Sequence, residues 1–199
     1  MENIDEILKK AIVNNNITFL EENRKNYDIN HRFSDEDNDT LLLYAISDKW
    51  SETYIFFLNN GANINLTNDE GEGIIHSIIY SGISTRLIDV LNKKPEAMKL
   101  VNAQTKDGVS PLLLSVLLER YDIFNILLDL KVDIDLADNE CNTPIHMSCF
   151  LGYEEMVFKL VEKGANLHLK TQKGNYPLAL AINGDHDRIV RYLFNKIYM

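Results

Sequence analysis

Three aspartates alternate along one short stretch of the chain, at Asp35, Asp37 and Asp39. Carboxylates at this spacing supply the first three ligands of a calcium-binding loop, in which oxygen atoms surround a hard cation. That loop also needs glycine at its sixth position and a bidentate glutamate at its twelfth, where this chain has Thr40 and Ile46. The pattern therefore predicts a solvated acidic turn, which also suits protein binding.

The residues Cys141, His146 and Cys149 form the one cluster of soft metal ligands in the sequence. A structural zinc site takes four such ligands, and no fourth lies at a familiar spacing. We therefore expect no metal and no cofactor. Two cysteines are also too few for a disulfide scaffold, which favours a reducing compartment and predicts a cytoplasmic protein.

Motifs typical of catalysis are missing from the sequence, which has no H-E-x-x-H, G-x-S-x-G, P-loop or G-x-G-x-x-G pattern. Residues distant in sequence can still assemble a catalytic set in space, and sequence alone leaves that alternative open. The expectation is a protein that is not an enzyme.

The charge of the chain is strongly acidic, with 30 Asp and Glu against 20 Lys and Arg and a net charge of -10. Nucleic acids and anionic membranes attract basic surfaces, so neither is an expected partner. Residues 1–70 hold 14 acidic and 6 basic side chains, whereas residues 71–199 hold 16 and 14. A partner protein with a basic surface would be attracted mainly by the N-terminal part. The acidic opening lacks the basic region of a secretory signal, and no apolar run is long enough for a membrane span.

One sequence pattern recurs five times, and the residues at one shared position of its copies are separated by 33, 37, 33 and 33 positions. In the copy from Asp138 to Leu169, Thr143 and Pro144 suit a helix start, Gly152 a break between helices, and Gly164 a helix end. Each copy therefore predicts two short helices. The residues that mark the recurring position are Thr40, Gly73, Ser110, Thr143 and Tyr176.

The clearest copy begins at Asn142 and reads N-T-P-I-H-M-S, close to the T-P-L-H-x-A signature of ankyrin repeats, and Lys163 to Leu167 supply the closing turn. The chain resembles an ankyrin-repeat protein. The resemblance implies an all-α fold, an ankyrin-repeat solenoid of stacked helix-turn-helix units with short β-hairpin-like loops. We expect a single domain over 1–199, with the first and last repeats as caps and a loop at the four-residue surplus near 92–100. The repeats are expected at about 1–34, 35–67, 68–104, 105–137, 138–170 and 171–199.

The same resemblance gives the cysteine and histidine cluster structural roles. Cys141 replaces a turn glycine, His146 is the signature histidine whose ring braces the turn, and Cys149 fills a small packing position. His76 and His186 are assigned to similar positions.

Ankyrin-repeat proteins bind partners along a concave face made of hairpin tips and the exposed ends of the first helices. The alignment of the copies places three groups of residues there. The groups are an acidic set at Glu36, Asp37, Asp39, Asp48, Asp69, Glu70 and Glu72, an apolar strip at Tyr80, Leu117, Leu118, Phe150 and Leu151, and a polar tip at Asn139, Glu140 and Asn142. The strip is either a binding surface or ordinary packing between repeats.

The sequence thus predicts a non-catalytic protein-binding module, a monomer when unbound. We expect an inhibitor or immunity-type protein that occupies and blocks its partner. The alternative is an adaptor, or a secreted microbial or viral effector that binds a host protein. An enzyme or metal-binding protein is the third and remotest reading.

Overall fold

The computed structural model describes residues 3–34, 37–48, 52–130 and 132–199. The chain divides into two compact units, Met1–Lys106 and Asp107–Met199. Helices arranged in successive pairs dominate both units, which confirms the all-α repeat fold expected from the sequence. The hairpin-like loops make a single isolated antiparallel bridge among the described residues, between Arg32 and Thr40.

Within its described residues, the first unit contains three helix pairs and a short 3₁₀ turn after each of the first and third pairs, at Arg24–Asn26 and Pro95–Leu100. The second of these turns occupies the four-residue surplus that the sequence assigns to a loop, so that part of the expectation is wrong. Pro95 starts the turn, and Ala97 is buried in it. The helices are α1 (Ile4–Val13), α2 (Ile17–Glu22), α3 (Leu41–Ser47), α4 (Thr53–Asn59), α5 (Ile74–Ser81) and α6 (Ser84–Lys93).

The second unit repeats the pairing three more times. Within it α9 packs against α7, α10 and α11, and α12 packs against α10 and α11. Each pair therefore buries its apolar side chains against its neighbours, as expected of a repeat protein. The helices are α7 (Pro111–Leu117), α8 (Tyr121–Asp129), α9 (Pro144–Leu151), α10 (Glu154–Glu162), α11 (Pro177–Asn183) and α12 (Asp187–Tyr198).

The first helix of several pairs starts with the capping chemistry that the sequence predicts. The hydroxyl oxygens of Thr40 and Ser110 each accept a hydrogen bond from the amide three residues later, at 3.3 Å. Thr143 occupies the cap of α9, and Pro144 follows at the first helical position, where a missing N–H costs nothing. These caps fix where α3, α7 and α9 begin.

Residues with positive φ turn the chain at the hairpin tips and between paired helices. The tip position holds Asn38, Gly71, Gly108, Cys141 and Gly174, with φ between 53° and 80°. Cys141 therefore takes the place of a turn glycine, as the sequence predicts. Gly152 ends α9 at φ 76°, and Gly164 lies beyond the end of α10 at φ 93°, so both predicted helix ends are confirmed.

Backbone hydrogen bonds join consecutive tips within each unit. In the first unit the amide of Asp69 donates to the carbonyl of Asp37 at 3.0 Å, and the amide of Lys106 donates to the carbonyl of Glu70 at 2.9 Å. In the second unit Asn139 and Gln172 make the equivalent bonds at 2.9 and 2.7 Å. The tips are thereby held in a regular row in each unit.

Candidate partner-binding surface

The exposed aromatic ring of Phe150 lies near the C-terminal end of α9. Its side chain is 54% exposed, although cysteine and serine side chains on the same helix are fully buried. Leu151 beside it is half-buried. Gly152 then ends the helix, so Phe150 projects where α9 stops rather than along its packed face.

A groove of about 360 Å³ runs beside Phe150 within the second unit. Met147 and Leu180 add apolar surface to the groove, and the charged Glu140 and Lys173 also line it. Thr171 and four carboxamides also line the groove, the carboxamides being those of Asn142, Gln172, Asn175 and Asn183. Each carboxamide can both donate and accept hydrogen bonds, as a peptide group does. The groove thus combines apolar surface with side chains that can hydrogen-bond to a polypeptide backbone.

The polar tip residues next to the groove are positioned by the carboxylate of Asp138. Its Oδ1 accepts hydrogen bonds from the amides of Glu140 and Asn142 at 2.9 and 2.8 Å, and its Oδ2 accepts one from the side chain of Asn142 at 3.0 Å. Asn139 and Glu140 are exposed, whereas Asn142 is half-buried. The tip is therefore preorganised, and the side chain of Asn142 helps to hold its conformation.

The other second-unit members of the predicted strip are Leu117 and Leu118, at the end of α7. Leu117 is 37% exposed and Leu118 is half-buried. Glu119 follows with φ 54°, in the position that Gly152 holds after α9. Of the apolar strip residues in this unit, Phe150 is the most exposed.

Sequence reasoning missed Met147 and Leu180 as parts of the groove. Met147 precedes Phe150 by one helical turn, so the two share a face of α9. Leu180 stands 33 positions after Met147. Met147 and Leu180 could have been found from the sequence by combining the repeat spacing with the helical period.

In the first unit, the predicted acidic set lies largely at hairpin tips. Asp37, Asp69 and Glu70 are exposed, and Asp39 and Asp48 are half-buried. The side chain of Asn38 donates to the carboxylate of Asp69 at 3.2 Å. Glu36 lies outside the described residues.

Glu72 and Tyr80, both predicted to meet a partner, contact each other in the first unit. The Tyr80 hydroxyl donates to Oε1 of Glu72, and the side chain of Asn68 donates to Oε2 at 3.0 Å. Burial and the hydrogen bond to Glu72 raise the pKa of Tyr80 above its ordinary value. Both carboxylate oxygens of Glu72 are thus engaged within the chain, which gives this residue a structural role.

The cysteine and histidine cluster has the structural geometry that the resemblance implies. Nδ1 of His146 accepts from the amide of Thr143 at 3.2 Å, and Nε2 donates to the carbonyl of Leu169 at 3.0 Å. Burial lowers the pKa of His146 and raises that of the Cys149 thiol to about 12, so both are neutral at pH 7. Across residues 3–34, 37–48, 52–130 and 132–199 no group of three or more His, Cys, Asp or Glu side chains could hold a metal ion.

The histidines do not all share one role. Nδ1 of His76 accepts from the amide of Gly73 at 3.3 Å, which matches His146. His186 instead caps the start of α12, and its Nε2 donates to the carbonyl of Phe150 at 3.2 Å. The sequence-based placement of His186 with His76 is therefore wrong, because His186 lies between the helices of its repeat rather than at a tip.

Comparison with known proteins agrees with this architecture. A family model described as ankyrin repeats matches residues 75–171 in three copies. The chain belongs to the ankyrin-repeat family. Ankyrin repeats bind other proteins, so the family indicates a protein-protein interaction module.

Several curated proteins are similar to this ankyrin-repeat chain. A poly(ADP-ribose) polymerase tankyrase of Caenorhabditis elegans is 29% identical over 84% of this chain and 9% of its own length. The phosphocholine transferase AnkX of Legionella pneumophila is 25% identical over 76% of this chain and 16% of its own length. A protein of Acanthamoeba polyphaga mimivirus named for its ankyrin repeats is 27% identical over 78% of this chain and 20% of its own length.

This ankyrin-repeat chain spans no more than a fifth of the length of those three relatives. The enzyme names among them therefore belong to proteins that are matched only in part. Within the described portion of the chain, no helix has both the length and the apolar character needed to cross a membrane.

Proposed function

We propose that this ankyrin-repeat chain is a non-catalytic module that binds a partner protein in the groove beside Phe150 and acts by occupying it. The exposure of Phe150 on a groove lined by carboxamides carries this proposal. Large aromatic side chains in central pockets commonly supply most of the affinity of an interface. The carboxamides would bind the backbone of the partner, while Phe150 contacts one of its apolar side chains.

The mode of action in this proposal is steric blocking. An inhibitor or immunity-type protein needs only to cover the working surface of its partner. The two free cysteines, Cys141 and Cys149, suit a reducing compartment such as the cytoplasm. In this proposal the bound partner loses activity in proportion to its occupancy.

The groove proposal is tested by replacing Phe150 with glutamate. Proteins captured from lysate by the wild-type chain are identified, and the affinity of each is measured for F150E and for I88E. Ile88 is a matched control because it is also an exposed apolar residue, on α6 in the first unit. We expect F150E to weaken binding at least tenfold, or about 1.4 kcal/mol, and I88E to leave it unchanged. Equal affinities of the captured partner for the wild-type chain, F150E and I88E would contradict the proposal.

The acidic tips of the first unit support a second part of the proposal, that the partner has a basic surface. Opposite charges accelerate encounter, and salt screens the effect. The exposed Asp37, Asp69 and Glu70 are changed together to lysine, and Glu21 and Glu22, exposed on α2, serve as the control pair. We expect the tip variant to associate more slowly and with less dependence on salt. An unchanged association rate would contradict electrostatic steering by these three residues.

The similarity to one bacterial and one viral protein favours a second candidate, an effector or adaptor that binds a host protein. Both candidates use the same groove and differ in the source of the partner. Capture from lysate of the source organism and from lysate of a host separates them. A partner found only in the host would favour the effector, and one encoded beside this chain would favour the inhibitor.

A further inference from the structure

The ends of two helices of the second unit meet at one imidazole ring beside the groove. Gly152 follows α9 and Gly184 follows α11. The ring of His186 lies against both glycines, because a methyl group added to either one would overlap atoms of that ring. Phe150 and Asn183, close to these two helix ends, both line the groove. His186 therefore fills the space between two elements that form the groove.

Hydrogen bonds attach His186 to both of these helices. Its amide donates to the carbonyl of Ala181 in α11 at 3.0 Å, and Nε2 of its ring donates to the carbonyl of Phe150 in α9 at 3.2 Å. The last carbonyls of a helix lack partners within the helix. The amide of Glu154, which would reach Phe150 if α9 continued, donates to the carbonyl of Gly152 instead. The ring thus gives the Phe150 carbonyl a partner from the neighbouring helix pair.

The backbone at Gly184 does not itself require glycine. Its φ is -90° and its ψ is 3°, a conformation that other residues adopt in ordinary turns. Leu118 stands 66 positions earlier, at the end of α7, and has φ -98° and ψ 6° with a large side chain. What excludes a side chain at position 184 is therefore the ring of His186.

The direction in which Phe150 projects depends on the backbone that carries it. Its side chain is 54% exposed, so the packing of the ring itself does little to hold it. An interface residue that is already held in place loses less conformational freedom on binding, and this increases affinity. A contact that fixes the end of α9 relative to α11 is therefore expected to strengthen binding without touching the partner.

We propose that His186 is a positioning residue for the partner-binding groove, holding the ends of α9 and α11 at the spacing at which Phe150 and Asn183 contact one partner together. The consequence for binding rests on the proposed function of the groove. Without the imidazole, the space between the two glycines is empty and the Phe150 carbonyl loses its partner. The end of α9 can then move relative to α11.

A fluorine label at position 150 tests this positioning in the free chain. The variants are made with para-fluorophenylalanine at that position alone, and fluorine NMR compares their signals. H186A removes the ring, and G184A displaces it without straining the backbone. Both should shift or broaden the signal relative to the wild type. H168A is the matched control, because His168 is an exposed histidine of the same unit, and it should leave the signal unchanged.

The affinity for the partner captured by the wild-type chain tests the consequence for binding. We expect H186A and G184A each to weaken binding about tenfold and H168A to leave it unchanged. H186Q should recover part of the loss, because the glutamine amide can donate to the Phe150 carbonyl. Adding G184A to H186A should cause no further loss, since the ring is already absent. In an F150A background, H186A should have a smaller effect than in the wild type.

Two outcomes would overturn the role of His186. One is an H186A chain that unfolds at lower urea concentration but keeps the wild-type fluorine signal and affinity, which is the result of a purely stabilising contact. The other is the same loss of affinity from H186A with and without the Phe150 ring, which means that His186 acts elsewhere. The fluorine signal decides the positioning even where F150E binds as the wild type does, a result that contradicts only the proposed function.

Discussion

The imidazole of His186 lies against the α-carbon of Gly152, with its Nε2 hydrogen-bonded to the carbonyl of Phe150. A methyl group at Gly152 would overlap three atoms of that ring. The histidine thereby joins the start of α12 to the end of α9, beside the proposed groove. Glycine is required at this position both for its positive φ and for the space that the ring occupies.

We predict that G152A destabilises the second unit by about 3 kcal/mol, because alanine would have to adopt a left-handed conformation and the ring of His186 would have to move. Gly164 provides the matched control, because it also has positive φ but no atom within 4 Å of an added methyl group. G164A should therefore cost only about 1 kcal/mol. Urea unfolding measures both. In an H186A background the two glycine substitutions should cost the same, and a persistent difference would mean that the ring is not the obstacle.

The buried His146 predicts a loss of stability in mild acid. Burial lowers its folded pKa below the ordinary value of 6.5, so the unfolded chain takes up the proton first as the pH falls. This contribution to stability is complete above pH 6.5 and decreases below it until the folded pKa is reached. The variant H146Q should be about 2 kcal/mol less stable at pH 7.5. It should also show a shallower decline between pH 6.5 and 5 in urea unfolding, and an identical slope would contradict the assignment.

The carboxylate of Asp5 predicts a second pH dependence at lower pH. The Ser34 hydroxyl and amide donate to its Oδ2 at 2.6 and 2.8 Å, and His31 contacts its Oδ1 at 2.6 Å. These bonds, the Ser34 hydroxyl first, lower its pKa to about 2. The stabilisation is therefore present above pH 3.8 and is lost as the pH falls towards 2.

Accordingly, D5N should lower the free energy of unfolding by about 2 kcal/mol at pH 6, with the difference disappearing near pH 2. E6Q makes the same change of charge on the exposed neighbour and should have little effect. Urea unfolding over this pH range measures both variants. An equal loss in E6Q would point to the overall charge rather than to the bonds from Ser34.

The strained turn at Cys141 predicts a stabilising substitution. Its φ of 61° belongs to a position where three other tips carry glycine. C141G should raise the free energy of unfolding by about 1 kcal/mol, because glycine adopts this conformation without a steric cost. The equivalent change N38G should bring no such gain, since asparagine tolerates positive φ and the substitution also removes the hydrogen bond from the Asn38 side chain to Asp69. A midpoint shift in urea at constant slope is the measurement, and destabilisation by C141G would reveal an unseen role for the thiol.

Features that recur with the repeat were predictable from the sequence. Contacts between residues at non-equivalent positions of the repeats were not. The cap at Thr143, the break at Gly152 and the tip turn at Cys141 recur with the repeat, so aligning the copies located them. The bond between Asp5 and Ser34 spans 29 positions and occurs once. Nothing in the spacing of these two residues indicates it.

Arg86, in the first unit, is another residue whose contacts could not be predicted from the sequence. Its guanidinium is buried and donates to the carbonyls of Ile46 and Asp48, at 2.5 and 2.7 Å. In sequence it reads as an ordinary charged position on α6. The exposure of Phe150 was similarly undecided between packing and binding, because it depends on where α9 ends and on what the neighbouring helices leave uncovered.

The row of tips described above also bears on how each unit folds. The backbone hydrogen bonds that join the tips connect residues 32 or 36 positions apart in the chain. Closing loops of this length costs little more entropy than closing shorter ones, because the cost grows only with the logarithm of length. Contacts between neighbouring repeats also keep the mean sequence separation low, which favours rapid folding. Each unit can therefore grow from a nucleus formed at any repeat, by the sequential addition of adjacent helix pairs.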